Sequence, residues 1–131
     1  MKLWIDDVRP APEGYVWCKS VNAAKNEILK NKDAIARFGE QVRELDAKGF
    51  YDEADHIHMV AANTMLDCID LDHDAGEYAM DGGDYIKLLD WLEEDNPLSW
   101  VGIIKFHIHS MNVVGVENMR RIIQRNGWKE V

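Results

Sequence analysis

Three short apolar runs in this chain each end in acidic or imidazole groups. They are Leu3-Trp4-Ile5-Asp6-Asp7, Ile69-Asp70-Leu71-Asp72-His73-Asp74 and Ile103-Ile104-Lys105-Phe106-His107-Ile108-His109-Ser110. A buried parallel strand delivers polar groups in this way to the carboxyl edge of its sheet, where open α/β folds bind ligands. The pattern predicts three adjacent strands whose tips pool Asp6, Asp7, Asp72, His73, Asp74, His109 and Ser110 in one pocket. With helical segments between them, the expected class is an α/β sandwich with a mostly parallel sheet.

Composition narrows the function. A chain of 131 residues, 47% of them hydrophobic, is expected to form a single domain with a real core. No apolar run approaches the roughly 20 residues of a membrane-spanning helix. The opening Met1-Lys2-Leu3-Trp4-Ile5-Asp6-Asp7 turns acidic too early for a signal peptide, so a cytoplasmic location is expected. Cys18 and Cys68 lack CxxC spacing and read as buried thiols rather than zinc ligands or a disulfide framework. A net charge of -9 argues against a duplex-DNA partner. It leaves room for a small phosphorylated ligand, because a divalent cation inverts the local sign of an acidic pocket.

Along the chain, Lys2 to Asp6 and Tyr15 to Cys18 read as strands, separated by a loop with two prolines and a glycine. That loop is short for a parallel crossover, so either it crosses without a helix or the two strands run antiparallel. Ser20 is the expected N-cap of one long helix with an apolar seam at Val21, Ala24, Ile28, Ile35, Phe38, Val42 and Leu45, interrupted at Asn31. Gly49 ends it, and Ala54, Ile57, Val60 and Ala61 mark a return helix. The seams of this hairpin, about residues 20–63, can satisfy each other or pair with a second copy in a homodimer. The remaining expectations are a strand from Met65 to Leu71, a helix over Asp84–Glu94 for which Asp81 offers a cap, a strand over Val101–Ser110, a loop over 111–115 and a last helix from about Val116 to Arg125.

Asp6 and Asp7 are adjacent on a strand and point to opposite faces, so one is expected to bind and the other to brace. With Asp72 they make an oxygen-rich set suited to Mg²⁺ or Mn²⁺, with Asp74 as a further candidate ligand. His73, flanked by Asp72 and Asp74, is a candidate general acid or base, as is His109 near its strand tip. His107 shares a strand face with His109 and reads as a core histidine bonded to backbone; His56 and His58 fall on the hairpin as structural or solvated residues. Ser110 lacks a Gly-x-Ser-x-Gly elbow and is expected to donate to a phosphoryl oxygen. Asn112, with the amides up to Gly115, adds anion donors, and Arg9 is the candidate phosphate clamp.

Leu3-Trp4-Ile5-Asp6-Asp7-Val8-Arg9-Pro10-Ala11-Pro12-Glu13-Gly14-Tyr15-Val16-Trp17, Leu71-Asp72-His73-Asp74, Asp81-Gly82 and His109-Ser110-Met111-Asn112-Val113-Val114-Gly115-Val116-Glu117-Asn118-Met119 closely resemble the cyclic-phosphate processing receiver family, a divergent branch of the response-regulator receiver fold. The resemblance implies a three-layer, receiver-like (flavodoxin-like) fold with the long helical hairpin inserted. It implies that Asp6 and Asp7 match the acidic metal-binding pair, Asp72 the phosphoacceptor position and Ser110 the hydroxyl after the fourth strand. It also implies action on cyclic phosphates in RNA repair, nucleotide signalling or phage defence. Two departures stand out: no late strand ending in a lysine, and a segment from Asn22 to Asn63 longer than one crossover helix.

The expected function is a metal-dependent phosphoesterase for a cyclic nucleotide or an RNA 2′,3′-cyclic phosphate end. Asp72, His73 and His109 would be catalytic, and Arg9, Ser110 and Asn112 would contact substrate. The first alternative is a non-enzymatic receiver-like phosphoacceptor or nucleotide-binding signalling module. The second is a structural protein that keeps the acidic cluster as a relic. A paired-histidine phosphoesterase is disfavoured, since neither of its two H-x-[ST] motifs is present.

Overall fold

A computed structural model describes residues Met1–Val131. Five strands, β1 (Lys2–Ile5), β2 (Tyr15–Cys18), β3 (Cys68–Leu71), β4 (Lys105–Ile108) and β5 (Lys129–Glu130), form one sheet in the order β2-β1-β3-β4-β5. Every pairing is parallel. Four helices, α1 (Val21–Ala47), α2 (Tyr51–Thr64), α3 (Ile86–Asp95) and α4 (Val113–Arg125), complete a receiver-like α/β fold with flavodoxin-like strand order.

The open question about β2 resolves to the parallel alternative, crossed without a helix. A four-residue strand is only about 13 Å long, and the intervening loop can span roughly 30 Å, so the chain returns to the sheet's start without one. The loop is pinned by indoles: Trp4 Nε1 donates to Arg9 O at 2.8 Å and Trp17 Nε1 to Asp6 O at 2.7 Å.

That missing helix has a consequence for the layers. The connections β2→β3, β3→β4 and β4→β5 all step in one direction along the sheet, and right-handed crossovers then put their helices on one face. Only β1→β2 steps the other way. The core agrees: its strand residues, Leu3, Ile5, Cys18, Ile69, Leu71 and Phe106, come from a single face and pack on α1, α3 and α4. Each such fully buried aliphatic side chain contributes about 1.5–3 kcal/mol. The helical layers of the three-layer plan are thus unequally filled. The opposite face carries Lys2, Trp4, Tyr15, Trp17, Cys68, Asp70, Lys105 and His107, none of them in the core cluster.

The helical hairpin is present. Ser20 caps α1, its Oγ accepting from Ala23 N at 3.0 Å, and Gly49 follows its end with φ +77°. The first part of α1 lies on the sheet through Val21, Ala24 and Ile28; beyond it α1 and α2 pack on each other around Val42 and Ala54. Asn31, the interruption in the seam, is buried and holds the exit from α2: its Nδ2 donates to Thr64 O at 2.9 Å and its Oδ1 accepts from Leu66 N at 2.8 Å.

Several boundaries differ from expectation. Val101–Ile103 is a 3₁₀ turn, and β4 begins only at Lys105. The segment expected as a loop over 111–115 contains the start of α4, with Asn112 as N-cap. Asp81 does not cap the helix that follows it. It accepts from Ser20 Oγ at 2.6 Å and Asn22 Nδ2 at 2.9 Å, tying the loop after β3 to the start of α1. A late strand does exist: β5 pairs Lys129 with Lys105 and Glu130 with Phe106. Its lysine therefore lies at the amino end of β4, the opposite edge from Asp72.

Candidate functional site

The register β1–β3–β4 sets Ile5 beside Leu71 and Leu71 beside Ile108, so the residues that follow each strand emerge together at the carboxyl edge. Asp6 is fully buried there. Its Oδ1 accepts from Val8 N at 2.9 Å and Arg9 N at 2.8 Å, and its Oδ2 faces Arg9 Nε at 3.2 Å and His109 Nε2 at 2.9 Å. Burial pushes the Asp6 carboxyl up, but the two amide donors, His109 and the Arg9 charge outweigh it and hold the group below its ordinary value. Asp6 is the member of the pair whose oxygens are already engaged.

Asp7 lies over Gly76, where an added Cβ would sit 2.4 Å from Asp7 Oδ2. Gly76 also has φ +56°, so the loop after β3 needs glycine there on two counts. Asp72, buried at the tip of β3, accepts from His73 N at 2.7 Å through Oδ1 and meets Arg9 Nη2 at 3.4 Å through Oδ2. Carboxylate oxygens of Asp6, Asp7 and Asp72 all lie within 4.8 Å of one another. Converging hard oxygens, one of them in a cradle that a Cβ would fill, fit a Mg²⁺- or Mn²⁺-sized ion. Arg9 is clamped on Asp6 and Asp72, with half its side chain exposed and its Nη1 donating to His109 O at 3.1 Å.

His73 stands beside the trio. Its Nδ1 lies 2.8 Å from Asp74 Oδ1 and 3.3 Å from Asn112 Nδ2, and its ring fills the space that a side chain at Gly115 would need. Asp74 is exposed and outside the trio; its contacts are with His73 and Asn112. Asn112 is occupied as a cap, its Oδ1 accepting from Gly115 N at 2.9 Å. Ser110 Oγ accepts from Asn112 N at 3.1 Å, which leaves its own O–H to donate.

His109 takes a different place from the one its position at the tip suggests. Its ring lies between two carboxylates, Nδ1 2.5 Å from Asp70 Oδ1 and Nε2 2.9 Å from Asp6 Oδ2. Burial alone would lower its pKa, but hydrogen bonds to Asp70 and Asp6 and their charges raise it above the ordinary value. Both ring nitrogens face carboxylates. His107, expected as a core histidine bonded to backbone, is about half exposed and pairs with Asp70, Nδ1 to Oδ1 at 3.0 Å. Asp70 is the member of this network that sequence reasoning missed. The available signal was an acid in the middle of an apolar strand, in register with His107. His56 and His58 remain on the exposed surface of α2.

Concave pockets lie along the helical hairpin and beside Asn96–Trp100, away from the acidic trio. An acidic trio at the carboxyl edge of a parallel β2-β1-β3-β4-β5 sheet defines a receiver-like domain. A comparison with protein families matches residues 1–125 to the cyclic-phosphate processing receiver domain, and the chain belongs to that family. Comparisons with curated proteins and with solved structures gave no match. No helix is long and apolar enough to cross a membrane.

Proposed function

We propose that this protein is a divalent-metal-dependent phosphoesterase that opens a cyclic phosphate, in a cyclic nucleotide or at a 2′,3′-cyclic RNA end. The reading rests on two devices side by side at one edge: the oxygen trio of Asp6, Asp7 and Asp72, and the His73–Asp74 pair. Asp6, Asp7 and Asp72 would hold a Mg²⁺ or Mn²⁺ ion, which when bound would polarise the phosphoryl group and acidify a water. Asp74 accepts the Nδ1–H of His73, which leaves Nε2 to take a proton from the attacking water or to give one to the departing oxygen. Arg9, the Ser110 hydroxyl and the first amides of α4 supply donors for the growing negative charge. His109 positions Asp6. Val8 and Met111, exposed on the loops leaving the tips, and Val113 at the exposed start of α4 offer apolar contact for a base or ribose.

The alternative, a phosphoacceptor that signals through Asp72, is favoured by the family's receiver ancestry but not by Lys129, which sits at the wrong edge to reach a phosphoryl group. The test is a screen of cyclic mono-, di- and oligonucleotides and 2′,3′-cyclic RNA ends, with Mg²⁺ or Mn²⁺ and with chelator. The expected result is metal-dependent ring opening that Asp72→Asn and His73→Ala abolish. A stable acyl phosphate on Asp72 after incubation with a small phosphodonor, with no turnover of any cyclic substrate, overturns the proposal in favour of the alternative.

A further inference from the structure

The uncovered face of the sheet holds a second cluster, apart from the acidic trio. Asp70 on β3 is in direct register with His107 on β4, and His109 lies two residues beyond His107 on the same face. The Nδ1 atoms of both histidines point at the Asp70 carboxylate, at 3.0 Å from His107 and 2.5 Å from His109. One ligand atom from each of the three lies within 4.8 Å of the others. Asp70 is 8% exposed although its face has no helix over it, so this carboxylate is enclosed by neighbouring side chains, Trp4 and the two imidazoles among them.

We infer that Asp70, His107 and His109 form a binding site for a zinc-class transition-metal ion, distinct from the hard-cation site at the strand tips. Three features carry the inference. Two imidazole nitrogens and one carboxylate, with a His-x-His pair on one strand, are the donors that zinc-class metals take and that Mg²⁺ does not seek. The remaining nitrogen of His109 is already turned to Asp6 Oδ2 at 2.9 Å, the carboxylate–histidine arrangement that fixes the tautomer and orientation of a metal-ligating ring. Finally, His107 is about half exposed, which gives an ion a way in and leaves a coordination position for water. Three protein ligands with an open fourth position describe a site of the catalytic rather than the closed structural type. Asp6 joins the two clusters, braced by His109 on one side and by Arg9 on the other.

The inference does not depend on the phosphoesterase reading, and its test keeps the two apart. Metal-free protein in excess Mg²⁺, which would occupy the acidic trio, is titrated with Zn²⁺ by calorimetry and with Co²⁺ by visible absorption. The expected result is one equivalent bound, with the intense bands of low-coordinate Co²⁺. Losing a residue that merely supports a metal ligand costs about 10–100-fold in affinity. His107→Ala and Asp70→Asn are therefore each expected to weaken Zn²⁺ binding by more than about 100-fold, while His73→Ala leaves it unchanged. His107→Gln, closer in size, provides a variant whose circular dichroism confirms folding. Nitrogen-15 chemical shifts of the rings should report metal on Nδ1 of His107 and His109. Absence of stoichiometric binding by the wild type overturns the proposal, as does full retention in folded His107→Gln and Asp70→Asn variants.

Discussion

The Trp4 indole lies flat on the His109 imidazole, with ring centroids 3.9 Å apart and planes within 4°. The stack fixes the rotation of a ring that must face Asp70 with one nitrogen and Asp6 with the other. Trp4 also donates from Nε1 to Arg9 O, so one aromatic side chain touches both residues whose side chains meet Asp6 Oδ2. Trp4→Ala should lower the unfolding free energy by about 2–3 kcal/mol, less than for a fully buried tryptophan. Trp4→Phe keeps a stacking ring and loses the hydrogen bond, for a cost of about 1 kcal/mol. Urea denaturation of the two variants separates the contributions; equal losses would show that the stack contributes nothing.

Gly115 lies within α4, where replacing glycine by alanine normally gains about 1 kcal/mol. Here an added Cβ would sit 2.5 Å from carbons of the His73 ring. Overpacking at a close contact costs about 1–3 kcal/mol, so Gly115→Ala is expected to be neutral or destabilising despite the helical gain. The His73 ring resonances should move while those of His56 and His58 stay. A variant stabilised by about 1 kcal/mol, with His73 unmoved, would mean that the ring is not held where the structure puts it.

Asn31 explains the one break in the α1 seam. Asn31→Leu restores the apolar spacing but removes the partner of Leu66 N–H and the shorter of two hydrogen bonds to Thr64 C=O, the other coming from Met1 N, at the junction of α2 and β3. An unsatisfied buried backbone group costs about 1–3 kcal/mol, which outweighs the apolar gain at a site already closed. The expected outcome is net destabilisation of about 2 kcal/mol and faster hydrogen exchange at the Leu66 amide. Unchanged exchange there would assign Asn31 to the helix seam alone.

The same contrast shows what the sequence makes legible. β1, β3 and the tips of β1, β3 and β4 were readable because apolar runs that end in Asp or His carry their edge position with them. β5 was not, because Lys129-Glu130 has no apolar period and pairs only through β4. The sense of β2 depended on whether the loop over 6–14 could cross without a helix, which hangs on strand lengths no local pattern gives. α4 starts earlier than its buried residues do, because Val113 and Val114 are exposed and only the Asn112 cap marks the boundary. Asp70 escaped for a tertiary reason. Whether an acid inside an apolar strand faces core or solvent depends on which connections carry helices, and the one-sided coverage of this sheet follows from the single helix-free connection.

Glu93 offers a pH-dependent test of how α3 and α4 are joined. It accepts from Arg125 Nε at 2.7 Å and Nη2 at 2.6 Å, and from the Asn126 side-chain amide. Hydrogen bonds from Arg125 first, then Asn126, pull its pKa from 4.5 to about 2. A carboxyl depressed in the folded state contributes stability that is present above its unfolded pKa and lost as the pH falls through the folded one. Glu93→Gln should therefore differ most from the wild type at neutral pH, and the gap should close between about pH 4.5 and 2. The pair is accessible to solvent, so added salt should also narrow the gap. Urea midpoints of both proteins across that range check the prediction; a gap that persists at pH 2 would show that Glu93 acts through packing and not through its charge.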